Sequence, residues 1–145
     1  MSTETGASVD LVDRTRASIQ LLWLRLRLPR LVATESLDTL LAGLTAGVVA
    51  GGAQSGNFAA LERALDSAEA VANRMPLLPN TCLYRCLARY ALFRRHGFAA
   101  DFVMAISPQG PDQDGHAWLE LDGKPYREER AADFLVSFRY PPRTV

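Results

Sequence analysis

Lysine is almost absent from this chain. Fifteen of its sixteen basic residues are arginine, and they balance sixteen acidic residues, so the formal net charge is zero. A neutral chain projects no long-range field, which argues against nucleic acid or an anionic membrane as the main partner. The arginine bias fits a GC-rich genome, or an arginine cluster that grips carboxylates or peptide backbone. Long apolar runs are missing too. None reaches the ~18 residues of a membrane span, and the opening "MSTETGASVDLVDRTR" lacks the charged start and apolar run of a signal peptide. The expected compartment is therefore the cytoplasm, where thiols stay reduced. Cysteine occurs twice, as Cys82 and Cys86, which is too few for a disulfide scaffold and not the C-x-x-C spacing of redox pairs. Histidine also occurs twice. With 145 residues, 48 % of them apolar, the chain suits one compact domain with an ordinary core.

The first half reads as helices. Residues 9 to about 29 carry Asp and Arg at helical intervals and then "LLWLRLRLPR", whose alternating Leu hints at a strand while its Leu and Arg content favours a helix. A helix is expected, stopped by Pro29, with Arg25 and Arg27 snorkelling at its edges. Ser36 is a candidate N-cap for a second helix with Leu37, Leu40, Leu41 and Leu44 on one face. The small-residue run "GLTAGVVAGGAQSGN" reads as a loop or frayed end. Asn57 would cap a third helix, whose core stripe is Phe58, Leu61, Leu65, Ala68, Ala72 and Met75.

Pro76 and Pro79 then fix an extended entry into the strongest helix, "TCLYRCLARYALFRRH", with Asn80 or Thr81 as N-cap and Gly97 as stop. Beyond it the period changes to that of strands: "FAADFVMAIS", a loop "PQGPDQDG", "HAWLEL", a turn at Asp122 and Gly123, "KPYREE", and a last short strand in "FLVSFRY". Helices followed by an antiparallel meander define an α+β domain. The expected division is a helical region over 1–76 packing on a core over 77–145.

Cys82 falls in the first turn of its helix, where unpaired N–H groups and the positive end of the dipole favour a thiolate, the form that attacks carbonyls. A base must be one of two histidines. His96 ends the same helix, ~21 Å of axial rise away, and suits a C-terminal cap. His116 opens a strand that can start near the helix N-terminus, which makes Cys82 and His116 a candidate nucleophile–base pair. A carboxylate would hold the imidazole. With Asp122–Gly123 as a two-residue turn, Leu121 faces Lys124 and Leu119 faces Tyr126. Allowing a one-residue slip or bulge, Glu128 then lies beside His116, with Glu129 as the fallback. Asp122 itself sits in the turn, ~20 Å along the strand from His116.

Taken together, Cys82, Leu83 and Arg85, then Arg94, Arg95 and Gly97, then His116, Ala117, Trp118, Glu120 and Gly123 resemble the transglutaminase-like cysteine peptidases that mature lasso peptides. The similarity covers 79 to about 130, with a fainter likeness in "LLWLRLRLPR". It implies a transglutaminase-like, papain-like core preceded by helices, and a Cys–His–acid triad that cuts the leader from a precursor peptide through a thioester. Cys82 would be the nucleophile, His116 the base and then the acid, and Glu128 the acid position, where the family usually has Asp. Cys86 stands where the family commonly has a small residue. The backbone N–H of Cys82 would help hold the oxyanion. Arg85, Trp118 and Asn80 are candidate substrate-binding residues: Arg85 for a carboxylate or for the thiol, Trp118 as a shield, Asn80 as a donor or a cap. The "DQDG" loop, with Asp112 and Asp114, borders His116.

No metal and no cofactor is implied. The implied partners are the precursor, an amide-forming cyclase and a small leader-binding protein, expected as a separate chain because no three-stranded wing pattern is seen before residue 98. Three alternatives use the same residues. A transglutaminase-like acyltransferase would pass the thioester to an amine. A structural zinc site would take Cys82, Cys86 and His116. A degenerate relative would bind peptide without cutting it.

Overall fold

The computed structural model describes residues 4–46, 58–108 and 114–142, with side chains described from residue 14 onward. The small-residue run over 47–57 with its Asn57 cap, and most of the "PQGPDQDG" loop with Asp112, lie outside the described residues. Among the described residues four helices, α1 (Glu4–Thr34), α2 (Leu37–Leu44), α3 (Phe58–Arg74) and α4 (Cys82–Arg95), precede four strands. These are β1 (Ala100–Ile106), β2 (Gly115–Leu121), β3 (Lys124–Tyr126) and β4 (Leu135–Tyr140).

Pro29 does not end α1. The helix continues to Thr34 with the proline inside it. Proline removes one intrahelical hydrogen bond, the one to the Arg25 carbonyl. Burial of Leu28 and partial burial of Leu31 and Val32 against the core offset that loss. The Leu alternation dissolves into a helical stripe of Ala17, Leu21, Leu24 and Leu28 inside, while Ile19, Trp23 and Leu26 stay exposed. Nor do the two arginines behave alike. Arg27 lies in solvent with its guanidinium over the Trp23 ring. Arg25 is wholly buried, because α1 packs on both α3 and α4 and its position faces them.

Ser36 caps α2, accepting from the Thr39 amide, and Leu40, Leu41 and Leu44 are buried. On α3, Leu61, Leu65, Ala68 and Ala72 face inward, and Phe58 is half-buried. Met75 departs from the expected stripe, since the helix stops at Arg74 and its side chain is exposed. Thr81 caps α4, accepting from the Tyr84 amide. His96 closes the other end, its Nδ1 2.8 Å from the Leu92 carbonyl.

The sheet is antiparallel in the order β3-β2-β1-β4. It is not a simple meander. After β3 the chain crosses the sheet through a single 3-10 turn over Ala131–Asp133 and pairs β4 with β1. One face, with Phe102, Ala117 and Leu119, packs on α4 in the main core. The other carries Val103, Ala105 and Trp118 under Ala131 and Phe134.

Phe93 is the joint of helices and sheet. It is fully buried, stacks on Phe58 with ring centroids 5.6 Å apart, and meets Tyr126 edge-on at 5.2 Å. Phe93→Ala is expected to cost about 3–5 kcal/mol of unfolding free energy. Urea denaturation of the variant and the parent measures it; a loss below about 1 kcal/mol would mean that the core closes over the gap.

Candidate active site

Cys82 is the first residue of α4 and is half-buried. It shares one cavity, about 170 Å³, with Arg85, Cys86, Arg89, His116, Ala117, Trp118, Leu119, Tyr126, Arg127 and Glu128. That volume suits one peptide unit and a neighbouring side chain rather than a whole drug-sized ligand. Two larger grooves, about 550 and 420 Å³, contain none of Cys82, His116 and Glu128. The cavity draws on both faces of β2. By the pleat Ala117 and Leu119 face α4, while His116 and Trp118 keep company with Phe134 on the far side. Both faces can contribute because β3 pairs only with Leu119–Leu121, leaving the edge of β2 beside His116 and Trp118 uncovered.

The hairpin register is Leu121 opposite Lys124 and Leu119 opposite Tyr126, joined by a turn in which Asp122 and Gly123 both take positive φ. Pairing then stops. Arg127 adopts φ 52°, a left-handed conformation uncommon for a side chain of its size. The bend is held from α3: the Tyr126 hydroxyl donates to Glu62 at 2.8 Å, and the Arg127 guanidinium donates to Asp66 at 2.6 Å. The next residue is Glu128, turned onto His116.

One carboxylate oxygen of Glu128 pairs with His116 Nε2, and the other accepts the Arg130 amide at 2.9 Å. Burial alone would push the Glu128 carboxyl up. The hydrogen bonds from His116 and the Arg130 amide, aided by the charges of His116 and Arg130, outweigh it and hold the group below its ordinary value. The His116 ring stacks on Phe134 at 4.9 Å and lies 5.9 Å from Trp118. With Nε2 held by an acceptor, Nδ1 is the ring nitrogen left to exchange a proton. Glu129 is exposed, one residue off this geometry.

A carboxyl held low in the folded state stabilises the fold above its unfolded value, ~4.3, and loses that contribution as pH falls through the lower folded value. The unfolding free energy of the parent should therefore exceed that of Glu128→Gln near neutrality, and the gap should close in acid. A pH series of denaturation curves tests this; a gap that widens in acid would reverse the assignment of the shift.

Cys86 sits one turn inside α4, buried, and burial drives its thiol strongly upward, outweighing the downward pull of Arg89, with Cys82 adding a lesser rise. Trp118 is buried, and its indole N–H has no partner among the described residues. Asn80 is exposed and does not line the cavity; its side-chain oxygen lies 3.4 Å from Arg25 Nη2, while the cap is Thr81. Glu120 is buried and bound to Arg139 on the far face of the sheet. Asp114 precedes β2, its carbonyl accepting from Ser107. Two features had no counterpart in the sequence reading: Phe134 against His116, and Arg25 beneath the entry to α4, donating to the Pro79 carbonyl at 2.8 Å. An aromatic shortly after the acid position was the only signal for the first; nothing in the periodicity marks the second.

Among the described residues no three of His, Cys, Asp and Glu are grouped to hold a metal ion, and no helix is long and apolar enough to cross a membrane. Residues 22–139, from within α1 to within β4, match the family model described as the transglutaminase-like superfamily. No curated protein and no solved structure gives a significant match.

Proposed function

Because this chain belongs to the transglutaminase-like superfamily, we propose that it is a cysteine peptidase that removes the leader from a ribosomally made precursor, as in lasso-peptide maturation. The observation that carries this reading is the Glu128–His116 pair within the cavity that Cys82 also lines. Supporting it is the order of "CLYRC" and "GHAWLELDG" along the chain.

In this mechanism the Cys82 thiol gives its proton to His116 Nδ1, and the thiolate attacks the scissile carbonyl. Glu128 keeps the proton of Nε2 in place and stabilises the imidazolium that forms. Backbone N–H groups of the first turn of α4, that of Cys82 first, receive the oxyanion. Nδ1–H then protonates the leaving amine as the C–N bond breaks and the thioester remains. A water loses its proton to Nδ1, attacks the thioester carbonyl and expels the Cys82 thiolate. Phe134 and Trp118 shield the imidazole from bulk water. The enzyme acts in the cytoplasm with a separate leader-binding protein, ahead of or beside an amide-forming cyclase.

The test is incubation of a leader–core peptide with the protein, with and without the leader-binding partner, in the presence of a labelled primary amine. Two unlabelled fragments support hydrolysis. A fragment carrying the amine assigns acyl transfer by the same triad, and peptide binding without turnover assigns a non-catalytic relative.

A further inference from the structure

Three arginines line the cavity, and they differ in what they already hold. Arg89 grips both carboxylate oxygens of Glu69, at 2.5 and 2.8 Å. Arg127 grips Asp66 at 2.6 and 3.4 Å and approaches Glu62 at 3.5 Å. Arg85 is half-buried, and among the described residues its guanidinium has neither hydrogen bond nor ion pair.

Behind it lies Arg25. This side chain is wholly buried, and among the described residues it uses only Nη2 and leaves Nε and Nη1 without a partner. The charges that act on it are Glu69, Arg85 and Arg89. Around Arg25 itself one carboxylate, that of Glu69, therefore stands with the guanidinium groups of Arg25, Arg85 and Arg89, beside the N-terminus of α4, which itself favours anions. A buried excess of positive charge is costly unless an anion completes it. Arg89 has Glu69 and Arg127 has Asp66 and Glu62, and Arg85 alone of the three lining arginines is left for an anion from outside.

We infer that Arg85 binds a carboxylate of the substrate, so that the preferred peptide carries an acidic side chain beside the scissile bond. This deepens the peptidase reading and rests on it only for the word substrate. Positions three apart on a helix are neighbours on its surface, with Cβ atoms about 5–6 Å apart. A carboxylate held by Arg85 thus lies within a side chain's length of a carbonyl at Cys82. The planar guanidinium can take both oxygens at once, which a lysine cannot do.

The test needs no known substrate. Cys82 of the full chain is alkylated with iodoacetate and, separately, with iodoacetamide, and the modified peptide is identified by mass; free cysteine under the same conditions sets the reference ratio of rates. The iodoacetate-to-iodoacetamide ratio at Cys82 is expected to exceed that reference by about tenfold or more, the size of one charge-assisted hydrogen bond. It should fall to the reference in Arg85→Gln and only part of the way in Arg85→Lys. N-acetyl-aspartate amide should protect Cys82 saturably, and the asparagine analogue should not. The iodoacetamide rate carries any effect of Arg85 on the thiol itself and cancels in the ratio, and an unchanged urea denaturation midpoint in Arg85→Gln shows that the fold is intact. A parental ratio equal to that of free cysteine, or one that survives Arg85→Gln, overturns the inference. Failure to cleave any peptide while the carboxylate preference persists would instead overturn the peptidase reading alone.

Discussion

Cys82→Ala should remove cleavage almost entirely, by on the order of 10⁴–10⁶-fold in kcat, the usual consequence of deleting a nucleophile. Cys86→Ala should keep most of it. The two thiols lie one helical turn apart, yet Cys82 is half-buried at the mouth of α4 and Cys86 is buried inside it. Burial keeps Cys86 a neutral thiol, so it serves as a small apolar filler. Its replacement by Ala opens a minor gap, worth about 1 kcal/mol of stability. Cleavage of a leader–core peptide by both variants, measured well below their melting temperatures, separates the roles. Equal loss in both would end the single-nucleophile mechanism and reopen a paired role for the cysteines.

Removing the acid gives the second largest effect. Glu128→Gln and Glu128→Ala should lower kcat by about 10²–10⁴-fold with KM little changed, because in the proposed mechanism the carboxylate acts on the imidazolium that exists only as the reaction proceeds. Glu129→Ala should stay close to the parent, since that side chain is exposed. Glu128→Asp is the informative intermediate. Aspartate is one carbon shorter, and the bend at Arg127 is anchored to α3 through Asp66 and Glu62, so the shorter acid cannot easily follow His116. Partial activity in Glu128→Asp is expected. Full activity in Glu128→Ala would exclude Glu128 from the machinery and leave His116 without a carboxylate partner.

The parts of this site that were legible in the sequence are those fixed by local punctuation. A hydroxyl cap at Thr81 and the stop at Gly97, φ 85°, bound α4 and thereby place Cys82 in its first turn. A two-residue turn at Asp122–Gly123 sets the register that leads to Glu128. What was not legible depends on contacts between segments far apart in the chain. Pro29 carries a local cost of about 3 kcal/mol, and only packing of α1 on α3 and α4 explains why the helix runs through it. The burial of Arg25 answers to the Pro79 carbonyl, 54 residues away in sequence. The crossing that takes β4 to β1, and lays Phe134 on His116, follows from which sheet edge is free and not from any periodicity.

The chain's two tryptophans are disposed so that one of them can report on the reaction. Trp23 is exposed on α1. Trp118 is buried, with its ring 5.9 Å from His116. A protonated imidazole quenches indole emission more strongly than a neutral one. The blue-shifted part of the fluorescence therefore reads the charge on His116 directly, against a solvent-like background from Trp23. In a Trp23→Phe variant that background disappears, leaving Trp118 as the one tryptophan, which excitation beyond the tyrosine absorption selects, so that the proposed proton transfer at His116 can be timed without any added label.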